Sequence, residues 1–436
     1  MTEGNYERER WLDHLVERPA TRPGVVERGC AITIRWVALD TTHRDRRADP
    51  GRHANLSALL RRVHAAPQSR SELTRLSGLN RSTVAGLVAE LVDRGLAVED
   101  EPVTAGVVGR PSPVVRPSDR AVAIAVHPEI DAVRIAAVLL GGRVLSSVRV
   151  EADNPSAEAV AGIVGEAVPE IVAELPAGSV VTGAGVAVPG LVRVADGLVR
   201  LAPHLGWHDV PLAAMLEEVL GIPVGAANEA SLGASAEWVF GAGRGTRDLL
   251  YVNGGPSGIG GGIIAGGVPL LGAGGHAGEV GHLPVTAYGT RDSAGLAGTL
   301  EAAVSRAALT EALGVQLPDD DLERALASAR SDRVKREVDR QVDALAAALG
   351  GIVNVLGSER VVLGGFLGSL AAVAGKRLRR EFDRHLLAPL VSEVELRRAE
   401  LAADVLLIGA ASIPLERVIR ELPALGPSPV EAGQLP

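Results

Sequence analysis

A chain of 436 residues, 47% of them hydrophobic, carries enough apolar material for two or three packed domains without disulfide or metal staples. One cysteine, Cys30, excludes an internal disulfide and a multi-cysteine metal site, and it fits a reducing compartment. The first residues lack the cationic, apolar and small-residue pattern of a secretory signal. The long uncharged stretch from Leu249 to Gly275 is broken by glycines and by Pro256 and Pro269, as hairpins are and membrane helices are not. The expectation is a cytoplasmic protein with no membrane partner.

Net charge is −9, unevenly spread. Residues 51–120 hold ten Arg against seven Asp or Glu, a balance of +3, while residues 121–436 hold 25 basic against 37 acidic, a balance of −12. A weakly basic module therefore precedes an acidic body, a pattern compatible with nucleic-acid binding but not sufficient for it.

Residues 1–52 show little apolar periodicity and read as a disordered extension. Leu56, Leu59, Leu60 and Val63 then share one face of a helix over His53 to Ala65. Ser69 and Glu72 have the spacing of a capping box, so a short helix starts there and stops at Gly78. Asn80 caps a second helix to Asp93, with an apolar stripe of Val84, Leu87, Val88 and Leu91 and a stop at Gly95. Short helix, glycine turn and longer helix make a helix-turn-helix. Ala97 to Val103 and Val107 to Val115 alternate as two strands of a wing, in which Gly109, Arg110 and Pro111 offer a slim cation suited to a minor groove. In such a module the contacts to double-stranded DNA fall on Arg70, Arg81, Ser82, Thr83 and Arg110, with Arg81 able to pair with a guanine edge.

From Ala121 the pattern mixes strands and helices: strands over Val122 to Val126, Arg134 to Leu140 and Arg143 to Val150, a helix over Ala157 to Glu174, and a buried strand over Val180 to Val188. A second lobe begins near Ala227, with a helical interior from Leu300 to Leu356, a strand at Arg360 to Leu363, a closing helix at Ala410 to Glu421 and a flexible tail over residues 423–436. The resulting division is 1–52, 53–118, 119–226, 227–422 and 423–436, in the α/β class.

Four stretches stand in order along the body: Gly183 to Gly190 (GAGVAVPG), Ala202 to Trp207 (APHLGW), Phe240 to Gly243 (FGAG) and His276 to His282 (HAGEVGH). Asn228, Glu229 and Ala230 lie between the second and third. With these motifs the body resembles the sugar-kinase domain of the ROK family (repressors, open reading frames and kinases), and residues 55–98 resemble the winged helix of its repressor branch. The resemblance covers all but the two tails. It implies an actin-like, ribonuclease H-like two-lobed fold with a sugar in the cleft, held by Asn228, Glu279, His282 and Glu301. Independently of any family, amide, carboxylate and imidazole groups suit the paired donors and acceptors of a polyol.

The phosphate chemistry departs from the family. Gly254, Gly255, Gly258 and Gly260 resemble its second phosphate loop and Gly364 and Gly365 its adenosine-side turn, a nucleotide-binding remnant. The first phosphate loop, Asp-x-Gly-Gly-Thr in the kinases, reads His127-Pro128-Glu129-Ile130-Asp131, whose side chains obstruct close backbone approach and whose carboxylates repel a triphosphate. Glu229 replaces the Asp that serves the kinases as general base, a shift of roughly an ångström in a position that in-line transfer holds tightly. The three cysteines of the family's zinc motif align with Asp292, Ala294 and Thr299, so no metal and no cofactor is expected, and the loop from Tyr288 to Gly298 must rely on packing or stay mobile.

The sequence thus implies a sugar-responsive transcription regulator, a repressor working as a homodimer or dimer of dimers on a symmetric operator, with a sugar or sugar phosphate as effector and no catalytic activity. The alternatives are an ATP-dependent sugar kinase with an attached DNA-binding domain and a DNA-binding protein whose body only dimerises.

Overall fold

The computed structural model describes residues 50–101, 112–286, 289–317 and 319–425. Residues 1–49, the wing segment with Arg110, and residues 426–436 lie outside them.

Three helices lead: α1 (Pro50–Ala65), α2 (Arg70–Ser77) and α3 (Arg81–Asp93). The capping box forms at α2, where Ser69 Oγ accepts from Glu72 N and the Glu72 carboxylate accepts from Ser69 N. Gly78 ends the helix at φ 71°, a left-handed turn that a side chain would strain. Asn80 then caps α3 by accepting from Thr83 N. Strands β1 (Gln68–Ser69), β2 (Ala97–Asp100) and β3 (Val114–Pro117) form a small antiparallel sheet in the order β1-β3-β2. The two-residue β1 was not foreseen, because pairing across 45 residues leaves no local signature.

The body holds two five-stranded sheets. The first, in the order β11-β7-β4-β5-β6, comprises β4 (Ala121–Pro128), β5 (Ala132–Leu139), β6 (Val144–Glu151), β7 (Val180–Val188) and β11 (Val224–Asn228). Strand β4 is buried on both faces, and its alternation sorts the two sides. Val122, Ile124 and Val126 pack with α4 (Ala157–Ala173) and α5 (Leu212–Leu220), while Ala121, Ala123 and Ala125 face the closing helix α12 (Val405–Glu421). Small residues on that second face let α12 approach closely: a Cβ on Gly185 of β7 would run into the Ala410 carbonyl. A three-stranded sheet, β8 (Leu191–Arg193), β9 (Leu198–Ala202) and β10 (Trp207–Val210), is inserted before α5.

Helix α6 (Glu229–Phe240) leads into the second sheet, ordered β14-β13-β12-β15-β16. It comprises β12 (Leu249–Gly255), β13 (Gly258–Ala265), β14 (Val268–Pro269), β15 (Arg360–Gly364) and β16 (Glu395–Arg398). The uncharged stretch thus folds as the β12–β13 hairpin. The helical interior divides into α7 (Leu300–Ala303), α8 (Arg306–Leu313), α9 (Asp319–Ser328) and α10 (Asp332–Leu356), and α11 (Gly365–Arg384) follows β15.

The N-terminal helices share one core with α12. Leu56, Leu60, Leu73, Val84 and Leu91 join Leu415, Val418, Ile419 and Leu422 in a single apolar cluster. Polar contacts ring it: Arg61 donates to Glu416 at 2.6 Å, Arg94 donates to the Leu422 carbonyl at 2.6 Å, and Gly141 N donates to His64 Nδ1 at 3.0 Å. The closing helix begins at Val405, five residues earlier than its sequence pattern suggests. The tail is also shorter than expected: Leu425 is buried and its N–H donates to the Arg94 carbonyl at 2.8 Å.

Candidate functional site

Asn228 and Glu229 sit where β11 passes into α6. Asn228 caps that helix: its Oδ1 accepts from Ala230 N and Ser231 N at 3.0 Å, and its Nδ2 donates to Gly190 O at 3.0 Å. Only one amide hydrogen is left for a ligand. Glu229 is buried, and its Oε2 lies 2.8 Å from Nε2 of His127 at the end of β4, while Ser257 donates to its Oε1 at 3.3 Å.

His127 is the residue whose role the sequence did not reveal. Its other nitrogen, Nδ1, lies 3.2 Å from Glu129, in ion-pair contact but misaligned for a hydrogen bond. Burial alone would lower its pKa; Glu129 and Glu229 outweigh that and raise it to about 9. Its surroundings therefore favour the charged imidazole at neutral pH. Glu129 also faces burial, but His127, Arg134 and Arg149 hold its carboxyl below the ordinary range. The expected repulsion by Glu129 and Asp131 is accordingly muted, since Arg149 pairs with Asp131 at 2.7 Å and lies 3.9 Å from Glu129.

The remaining sugar-facing candidates converge beyond the β12–β13 hairpin. His282 Nε2 lies 3.9 Å from Glu279, and Glu301 accepts from Ile259 N on β13 at 3.1 Å. Burial raises the Glu279 carboxyl, His282 opposes that, and the charge of Glu301 adds to it. The hairpin links the two groups, since Ser257 reaches Glu229 and Ile259 reaches Glu301.

Most of the remnant glycines have packing reasons of their own. A Cβ on Gly254 would strike Phe366, one on Gly258 Glu301, one on Gly260 Ala230, one on Gly364 Tyr251, and one on Gly365 the Gly254 carbonyl. Gly255, at the hairpin tip, has no such constraint.

Within the loop before Thr299, hydrogen bonds to Asp292 gather His282, Thr299 and two backbone N–H groups. Asp292 Oδ2 accepts from His282 Nδ1 and from Thr299 Oγ1, each at 2.8 Å, and its Oδ1 accepts from Ala294 N and Leu296 N. Burial would raise this carboxyl, but the bonds from His282, Thr299 and Leu296 hold it below the ordinary range. Donor atoms of His282, Asp292 and Glu301 lie within 4.8 Å of one another. They do not match a structural zinc site, because Ala294 has no donor side chain and the carboxylates of Asp292 and Glu301 are engaged by hydrogen bonds. His204 and His276 each bury an Nε2 atom that has no partner among the described residues.

On the N-terminal module, Arg81 and Ser82 are exposed at the first turn of α3. Arg81 makes no ion pair among the described residues, Ser82 donates to Asn80 Oδ1 at 2.7 Å, and Thr83 offers its N–H to the same oxygen. Arg70 is less available than expected, its guanidinium being paired with Glu99. Arg110 falls outside the described residues.

Residues 124–417 match the ROK family. The chain belongs to that family. Its similarities extend to both kinds of member. It is 25% identical over 358 residues to the xylose repressor of Bacillus subtilis, covering 81% of this chain and 92% of that protein. It is 31% identical over 267 residues to a glucokinase of Thermotoga maritima, covering 57% of this chain and 84% of that one. Among solved structures, a ROK family transcriptional regulator homologous to the E. coli MLC protein superposes with a TM-score of 0.67 at 21% identity, over 85% of this chain and 97% of its own. The Streptomyces griseus ROK glucokinase in complex with glucose and AMPPNP superposes with a TM-score of 0.57 at 25% identity, over 67% and 98%. The α/β sugar-kinase-like fold of the body is therefore that of the family. No helix among the described residues is long and apolar enough to cross a membrane.

Proposed function

We propose that the chain is a sugar-responsive DNA-binding transcription regulator, a repressor of carbohydrate-metabolism genes, whose kinase-like body senses a sugar without phosphorylating it. Residues 53–118 are then a winged helix-turn-helix, with α3 entering a major groove and Arg81 meeting base edges. Residues 119–226 and 227–422 are the lobes of the sensor, and Asn228, Glu279, His282 and Glu301 hold the sugar.

The observation that carries this reading is the continuous core between the N-terminal helices and α12, which packs on α6, the helix that begins at the cleft. A ligand that shifts α6 or α12 thereby changes the seat of the DNA-binding module. A coupling of about 1–3 kcal/mol, roughly 5- to 150-fold in DNA affinity, is enough for control. The xylose repressors whose likeness spans 80% or more of this chain support it and make xylose the first effector to test, and the glucokinase solved with glucose adds glucose. The likeness to glucokinases favours a kinase with an attached module. Against that reading stands His127, a cation bonded to the carboxylate at the general-base position.

The regulator is proposed to act as a homodimer, two α3 helices matching the halves of a symmetric operator. The test is anisotropy of labelled DNA from the gene's own upstream region, titrated with and without each sugar in the presence of competitor DNA. Saturable binding that shifts with one sugar, and that weakens by about 1–3 kcal/mol in Arg81→Ala while sugar binding persists, is the expected result. Equal operator affinity in the variant removes Arg81 from the interface.

A further inference from the structure

The turn from Asp292 to Leu296 grips two of the proposed ligand-holding side chains at once. Asp292 takes His282 through Nδ1, and the next residue, Ser293, donates to Glu301 Oε1 through both its N–H at 3.0 Å and its hydroxyl at 2.6 Å. The turn is closed on itself, with Asp292 N donating to Leu296 O and Gly295 N donating to Asp292 O. It is anchored to α7, because Thr299 donates its hydroxyl to Asp292 and caps that helix by accepting from Ala302 N.

The chemistry of Asp292 is one-sided. Its side chain is 0% exposed, and both oxygens receive hydrogen bonds, two of them from backbone N–H groups that can only donate. A carboxylate in that position accepts and does not donate, so the His282 hydrogen resides on Nδ1. In the neutral ring Nε2 is then left as an acceptor, on the side of Glu279.

We propose that Asp292 is a positioning residue of the ligand site: it fixes the tautomer and plane of His282, while Ser293 fixes Glu301, so that a polyol meets one imidazole acceptor beside two carboxylates without any metal organising the loop. The proposal rests on the sugar-binding reading of the cleft, but its first test does not. Asparagine at position 292 is nearly isosteric, and its amide NH2 must face either two backbone donors or the His282 and Thr299 side. Facing the latter relieves the conflict with the backbone and makes His282 Nδ1 the acceptor, moving the ring hydrogen to Nε2.

The experiment is long-range 1H–15N NMR of the full-length protein without ligand, with the His282 signals identified by their loss in His282→Gln. The wild type is expected to show Nδ1–H, and Asp292→Asn to move the hydrogen to Nε2. A wild-type ring carrying its hydrogen on Nε2 overturns the proposal even if the variant fails to fold. Stoichiometric zinc in the purified protein, with loss of thermal stability on chelation, also overturns it, because metal and not the carboxylate would then hold the imidazole. For whichever of D-xylose and D-glucose binds the wild type, Asp292→Asn should weaken binding roughly tenfold or more; unchanged affinity overturns the positioning role. If neither sugar binds, the sugar reading of the cleft loses support while the tautomer result still decides the clasp.

Discussion

His64 and His127 are both buried, and their surroundings drive them in opposite directions. At the junction, His64 accepts a hydrogen bond from Gly141 N and lies edge-on to Phe240 with centroids 5.0 Å apart. Burial lowers its pKa to about 4, with Glu416 opposing and Arg61 assisting. At the β4 end the same burial is outweighed by Glu129 and Glu229, and His127 stays charged to about 9. Depth therefore sets the cost of a charge and the partners decide whether it is kept. At the junction a neutral imidazole sits near the Arg61–Glu416 pair, while His127 keeps its charge between Glu129 and Glu229.

The largest way to break this contrast is to remove the charge of His127. His127→Gln removes the charge paired with Glu229 and leaves Glu129 to Arg134 and Arg149, and urea denaturation should show a loss of about 3–5 kcal/mol. Adding Glu229→Gln should restore much of it; if the single variant is as stable as the wild type, His127 is not the charged centre of the cluster. At the junction, Arg61→Ala leaves Glu416, whose side chain is 11% exposed, without its partner. A smaller loss of about 1–3 kcal/mol is expected, with faster amide exchange in α1 and α12 and little change in the cleft.

The pH dependence separates the two histidines by sign. His127 has a raised folded pKa, so its contribution is fully present below pH 6.5 and is lost as pH rises through about 9. His64 has a depressed one, so its contribution is present above pH 6.5 and is lost as pH falls through about 4. Amide exchange should therefore quicken first in α1 on acidification and first around β4 and α6 above pH 9. The reverse order contradicts both assignments.

Much of the framework was legible in local pattern. The capping box at Ser69, the glycine stop at Gly78, the Asn80 cap and the stripe of Val84, Leu87, Val88 and Leu91 each form as their spacing implies, because caps and stripes are short-range physics. Glu279, His282 and Glu301, which the family resemblance put at one site, do lie near one another. What escaped the sequence depends on pairing across the chain. His127 and Glu229 are 102 residues apart, and Asp292 looked like the remnant of a lost metal site until its four donors were visible together. Asn228, expected to face a ligand, spends most of its amide on the backbone, which no spacing rule could reveal.

The proposed regulator senses a sugar and does not phosphorylate it, and one titration addresses both halves of that proposal. The full-length protein on its labelled operator is titrated with the binding sugar in the presence of Mg-ATP, with anisotropy and ADP release read from the same sample. The expected result is a shift in operator affinity of roughly 5- to 150-fold with no sugar-dependent ADP. ADP release at a kinase-like rate of about 1–100 per second, with operator affinity unchanged by sugar, would contradict it.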